Sequence, residues 1–184
     1  MSILKVARMG HPVLRAKART VDKAEIKTPS LQEFIDSMID TMFEYSGVGL
    51  AAPQVHESLR LFVAMLDSDG QGDGDAVVLI NPEIMVMGDQ TVEGWEGCLS
   101  IPDVRGRVPR AHHIKVSALD RHAKRFELDL KDFPARVVQH ENDHLDGVLF
   151  FDRMKSLASL TYLEEYSRYH ARREKDDEDE DGDE

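Results

Sequence analysis

The chain has 184 residues, of which 41% are hydrophobic and 32% charged, with a formal net charge of -12. That length and balance predict one globular domain able to bury its own core. No apolar run approaches the roughly 20 residues that cross a membrane, and no concentrated basic field suits nucleic acid, so both classes are excluded.

The N-terminus, MSILKVARMGHPVLR, lacks the apolar region and cleavage site of a secretory signal, and a single cysteine cannot form an internal disulfide. A reducing, cytoplasmic setting is expected. Thr28-Pro29-Ser30 reads as a helix start; Leu31, Phe34, Ile35, Met38, Ile39, Met42 and Phe43 then recur at helical spacing, with Gly47 as the stop. Residues 47–54, rich in Gly and Ala, read as loop or irregular strand. LRLFVAML (59–66) and AVVLINPEIMVM (76–87) read as strands split by the turn-like DSDGQGDGD. RGRVPRAHHIKVSALD and RFELDL add at least two more strands, with a turn near Asp120-Arg121.

After Pro134, ARVVQHENDHLDG returns to helical periodicity, with Val137, Val138 and Leu145 apolar and Gly147 as the stop. Residues 155–173 read as a last amphipathic helix carrying Leu157, Leu160, Tyr162, Leu163 and Tyr166. Strands first and a core helix late predict an α+β domain rather than alternating βαβ units. The expected division is a catalytic domain over 1–173 and a disordered acidic tail over 174–184. Nine acidic residues and one lysine give that tail a charge of -8, so the remaining 173 residues carry only -4.

The chemistry concentrates at His140-Glu141-Asn142-Asp143-His144. Residues four apart on a helix point to one side, so His140 and His144 can offer two imidazoles to one ion, with Glu141 beside them to handle protons of water. The rival reading is an amphipathic helix with two surface histidines. The apolar VVQ flank and Gly147 favour a core helix, where two unpaired histidines would be costly. A catalytic site wants a third ligand and an open position. The H-E-x-x-H-x-x-G-x-x-H pattern fails, because its third histidine falls on Phe150. Glu164 stands at the spacing of a glutamate ligand on a following helix, as in thermolysin. Cys98, flanked by Glu93, Glu96 and Gly97, is the other candidate; a lone cysteine is otherwise a small buried hydrophobe.

Three blocks together resemble the bacterial peptide deformylases: GVGLAAPQ at 47–54, EGCLS at 96–100 and QHENDHLDG at 139–147, with similarity running from HPVLR to about residue 168. The resemblance implies a compact fold with antiparallel sheets around the H-E-x-x-H helix, and Cys98, His140 and His144 as metal ligands. It implies hydrolysis of the N-terminal formyl group from formyl-methionyl peptides, nascent chains at the ribosome, with release of formate. Glu141 would act as general base and acid, Gln54 and the Leu99 backbone N–H as oxyanion donors. Backbone around Val48, Gly49 and Gly97 would line the peptide. The implied metal is iron(II), although one thiolate and two imidazoles also suit zinc, nickel or cobalt. Arg105 and Arg110 read as strand-surface residues, with a structural or substrate role entertained for Arg105. The acidic tail departs from the family pattern: it would repel ribosomal RNA, so no direct nucleic-acid contact is expected.

Overall fold

Helical spacing between Leu31 and Phe43 is realised, and capping sets its limits. The structure, a computed structural model, describes residues 2–66 and 76–171. The turn expected over 67–75 and the tail over 174–184 lie outside the described residues. A one-turn helix, α1 (Lys23–Ile26), leads into α2 (Pro29–Glu44). Thr28 Oγ1 accepts the Leu31 N–H at 3.4 Å, and Pro29 takes the first position, where no donor is needed. Gly47 is not the stop itself. Ser46 takes the left-handed turn at φ 53°, and the N–H groups of Ser46 and Gly47 donate to the carbonyls of Phe43 and Met42.

The Gly/Ala-rich stretch becomes a short strand, β1 (Gly49–Ala51), followed by a 3₁₀ turn (Ala52–Val55). β2 (Leu61–Ala64) and β3 (Val77–Val86) lie within the two expected strands. β4 (Thr91–Cys98) is not announced by periodicity, because Gly94 and Gly97 interrupt the run of strand formers. It pairs antiparallel with β5 (Ile101–Ala111); β6 (His113–Leu119) and β7 (Arg125–Lys131) follow. The strands form a five-stranded antiparallel sheet in the order β1-β2-β3-β6-β7. β2 is buried on both faces: Leu61 and Val63 pack toward α2, Phe62 and Ala64 toward the opposite layer. That double burial is why its sequence shows no alternation.

The opposite layer is α3 (Asp132–Leu145), which brings Ala135, Val137, Val138 and Leu145 against the sheet. It begins two residues before Pro134 and ends as expected at Gly147. The N–H of Val148 donates to Asp143 O at 2.9 Å and that of Gly147 to His144 O at 3.3 Å, closing the last turn. A short α4 (Phe150–Arg153) packs on β5. The single amphipathic helix expected over 155–173 does not form: a 3₁₀ turn, a two-residue strand β8 (Thr161–Tyr162) and α5 (Leu163–Tyr169) share that span. Leu157 and Tyr162 are exposed rather than buried, so these positions never formed one apolar face. β8 joins the second sheet, ordered β4-β5-β8. The result is the expected α+β architecture, with β1 and β4 each at a sheet edge.

Gly147 has φ +72°, and a Cβ there would meet the Arg15 carbonyl carbon at 2.7 Å. Gly147→Ala is therefore expected to destabilise the protein by about 2 kcal/mol in urea denaturation. A change under about 0.5 kcal/mol would show that the turn relaxes freely.

Candidate metal centre

α3 presents His140 and His144 one turn apart, with ring centroids 5.1 Å from each other. Cys98 closes the set from the end of β4, where alternation turns Glu96 and Cys98 to the same face. Its Sγ lies 3.3 Å from His144 Nε2, and one donor atom from each of Cys98, His140 and His144 falls within 4.8 Å of the others. Donors about 2.0–2.3 Å from a common ion, tetrahedrally disposed, stand roughly 3.5 Å apart. All three residues are buried. A soft thiolate with two imidazoles suits a divalent transition metal, so the residues present fit such an ion.

The electrostatics agree with that donor chemistry. Burial pushes the Cys98 thiol up, but the charges and hydrogen bonds of His144 and His140 outweigh it and hold the thiol well below its ordinary value. Burial likewise disfavours a charged His140, yet Cys98 and Glu96 raise it well above the usual imidazole range. Both shifts favour a thiolate beside positive charge, the arrangement a bound cation would take over.

His140 is oriented by Glu96, whose Oε2 accepts from Nδ1 at 2.9 Å and leaves Nε2 for an ion. Glu96 also receives Arg110 through two bonds, at 2.9 and 3.0 Å, and Arg136 at 2.8 Å. Burial alone would raise its pKa, but His140 and Arg110 hold the carboxylate far below the usual range. Arg110 also donates to Asp143 Oδ2 at 2.6 Å, and Arg153 donates to Asp143 Oδ1 at 2.7 Å. Arg110 is thus no surface residue: at 5% exposure it ties β4 to α3. Sequence reasoning named Glu96 only as a neighbour of Cys98. Its inward parity with Cys98 was the signal that could have found its role.

Glu141 lies beside the ligands, 4% exposed, with Oε2 lacking any hydrogen-bond partner. Burial raises its pKa to about 7, with His140 and His144 pulling the other way. Gly49 runs directly against it: a Cβ there would lie 2.7 Å from Glu141 Cδ. Gln54 is pinned by Ala51 N–H to its Oε1 at 2.8 Å, which leaves Nε2 3.4 Å from Cys98 Sγ and from Ser100 Oγ. Leu99 follows Cys98 and packs its side chain toward Gly47. Val48 stands next to β1, its carbonyl already accepting Met65 N–H at 2.8 Å. Gly97 lies between Glu96↔Gly106 and Cys98↔Ile101, where the pairing register shifts. Arg105 stacks its guanidinium where a Gly97 side chain would be. Glu164 is not brought to the site: it sits on α5 with its side chain 77% exposed, paired with Arg168. Cys98, not Glu164, completes the cluster.

Truncating Arg110 would take one cation from each of two buried carboxylates. Arg110→Leu is expected to lose about 3 kcal/mol of stability in urea denaturation, because Glu96 keeps only Arg136 and His140, and Asp143 only Arg153. Glu96→Gln tests the orienting bond separately, with an expected 10–100-fold loss of metal affinity by chelator competition. Unchanged affinity would mean that packing alone orients His140.

The family model for polypeptide deformylase matches residues 3–159. Peptide deformylase 2 of Nostoc sp. is 42% identical over 168 residues, covering 89% of this chain and 93% of that one. The chloroplastic peptide deformylase 1B of Solanum lycopersicum is 41% identical over 151 residues, 82% of this chain and 53% of its own length. Among solved structures, the Met-Ala-Ser-bound class I type b peptide deformylase of Acinetobacter baumannii superposes with a TM-score of 0.77 at 40% identity, over 83% of this chain and 99% of that one. Motif order, the Cys98–His140–His144 cluster and the matched length agree, and the chain belongs to the polypeptide deformylase family.

Proposed function

We propose that this chain hydrolyses the formyl group from N-formyl-methionyl peptides, releasing formate and a free amino terminus. The observation that carries the reading is the buried Cys98–His140–His144 cluster with an unpaired, raised-pKa carboxylate, Glu141, against it. The proposed ion is iron(II), with zinc, nickel or cobalt able to replace it. Bound at this cluster, it supplies Lewis acidity that acidifies water and polarises the formyl carbonyl.

The remaining steps belong to the side chains. Glu141 Oε2 accepts a proton from the attacking water as oxygen bonds to the formyl carbon. It returns that proton to the amide nitrogen as the carbon–nitrogen bond breaks. Gln54 Nε2 and the Leu99 N–H donate to the oxygen that gains charge in the transition state. The Ala51 bond that fixes Gln54 means this donor needs no reorientation during reaction. An extended peptide would lie along the free edges of β1 and β4, by backbone groups of Val48, Gly49 and Gly97, in the manner of strand addition. Bare backbone makes room for the Glu141 carboxylate beside Gly49 and for the Arg105 guanidinium beside Gly97.

Residues 1–173 would form the catalytic unit and 174–184 an appendage. Nascent formyl-methionyl chains at the ribosome are the proposed substrates, met without direct RNA contact by the acidic end. The cytoplasm is the proposed compartment; the tomato relative is named chloroplastic.

Formate release from formyl-Met-Ala-Ser by anaerobically prepared protein tests the reading; no release with iron, nickel or cobalt would sink it. Cys98→Ala should abolish metal binding, whereas a retained ion would remove Cys98 from the ligand set. Gln54→Ala should lower kcat by about 100-fold or more. Glu141→Gln should keep the metal and lose turnover by about 100-fold or more. The same change should stabilise metal-free protein at pH 8. A carboxyl raised from 4.5 to about 7 favours folding below the lower value, and loses that contribution as pH climbs to the higher one. The expected gain is up to about 3 kcal/mol above pH 7 relative to its value at acid pH, read from denaturation curves at several pH values.

A further inference from the structure

Gln54 Nε2 and the Leu99 N–H come from elements far apart in sequence: the 3₁₀ turn after β1 and the tight turn at 99–100 that joins β4 to β5. Two donors can meet one oxygen only if those turns keep their spacing, and a misplacement of about 1 Å can cost a reaction about 100-fold. The N-terminal segment stitches them together. Ala7 N–H donates to Gln54 O at 2.7 Å, and Met9 N–H donates to Ser100 O at 2.9 Å. Ala7 is itself buried in the cluster that holds Cys98 and Ile101, so this strap belongs to the core rather than to a loose end.

Ser100 adds a side-chain stitch between the same two turns. A serine in a tight turn ordinarily bonds backbone groups close by in sequence. Ser100 is 1% exposed, and its Oγ instead accepts from Gln54 Nε2, 46 residues away, at 3.4 Å. Among the described residues that carboxamide is the one partner of its hydroxyl. An alanine here would spare the cost of burying a polar group, so the hydroxyl calls for a reason. The Gln54 carboxamide supplies one. Its Oε1 is fixed by Ala51 N–H at 2.8 Å, and its Nε2 stands equally far from Ser100 Oγ and Cys98 Sγ. The nitrogen carries two hydrogens in one plane. With one on Ser100, the other is directed to the Cys98 side, where the ion and the reacting oxygen would stand. Hydrogen bonds of this kind are long in a resting site and tighten as charge develops.

We propose that Ser100 is a positioning residue for Gln54: its Oγ takes one amide hydrogen and thereby aims the other at the oxygen that gains charge during hydrolysis. The catalytic part of this role rests on the deformylase reading; the pairing of Ser100 with Gln54 does not. The strap through Ala7 and Met9 holds the two backbones between which the side chains meet. Ser100 acts on the reaction through Gln54 and not through the substrate, so its removal should reach turnover by that route alone.

The test compares the full-length parent with Ser100→Ala, Gln54→Ala and the double variant, all loaded with the same ion, in formate release from formyl-Met-Ala-Ser. Ser100→Ala should lower kcat about 3–10-fold, the worth of one neutral hydrogen bond, and leave KM level. In the Gln54→Ala background the same change should lower kcat by less than about twofold, because the group it acts through is gone. A level kcat, a loss carried by KM, or equal losses in both backgrounds would overturn the positioning role. Nuclear magnetic resonance of isotope-labelled, zinc-loaded protein reads the contact without turnover. Of the two Gln54 side-chain amide protons, the one facing Ser100 should move upfield in Ser100→Ala while the other holds its place. If neither moves, the two side chains are not paired and the inference falls. A parent that releases no formate, but whose Gln54 proton moves in Ser100→Ala, keeps the pairing and loses the deformylase reading.

Discussion

Four donated hydrogen bonds converge on one buried carboxylate, Glu96, from Arg110, Arg136 and His140. Taking such a charge out of water costs several kcal/mol, and only close, well-aligned partners offset it. What this group secures is alignment between two elements that are far apart in sequence. β4 carries Glu96 and Cys98 on one face; α3 carries His140, Asp143 and His144 on another. Arg110 bridges Glu96 to Asp143, so the strand cannot slide along the helix without exposing an unpaired buried charge. The metal cluster inherits its geometry from that lock. A thiolate on a strand end and two imidazoles on a helix meet only if the register between them is fixed.

The same pair of elements explains what was legible in the sequence. His140 and His144 could be read because the four-residue repeat of a helix is local, and Gly147 marks its end through backbone conformation alone. α2 was legible for the same reason, down to the Thr28 cap, although Ser46 rather than Gly47 takes the left-handed turn. The choice between Glu164 and Cys98 was not local. Both spacings were acceptable, and only the packing of β4 on α3 separates them. Arg110 shows the limit most clearly: a charged residue in a strand reads as exposed unless its buried partners are known, and those stand 14 and 33 residues away. β4 itself was hidden because the glycines that serve the site remove the very side chains from which strands are recognised. The last helix was over-read, since scattered apolar residues between 157 and 166 fit a helical period without sharing a buried face.

Glycine placement and proton chemistry are linked at Gly49. A side chain there would collide with the Glu141 carboxylate, so β1 approaches the base only because its backbone is bare. That closeness excludes water from Glu141 and offers its Oε2 no donor, which is what raises the pKa. A donor in this place would stabilise the fold and at the same time weaken the base. Low intrinsic comfort of the carboxylate is therefore part of the site's construction, in keeping with the general exchange between stability and activity.

Charge is distributed with a similar division. Inside, Glu96 and Asp143 meet Arg110, Arg136 and Arg153 and are held by geometry, so salt has little access to them. On the outside, pairs such as Lys155–Glu93 and Arg168–Glu164 lie largely in solvent. Buried pairs thus set where the ligands stand, whereas exposed ones yield first as ionic strength rises.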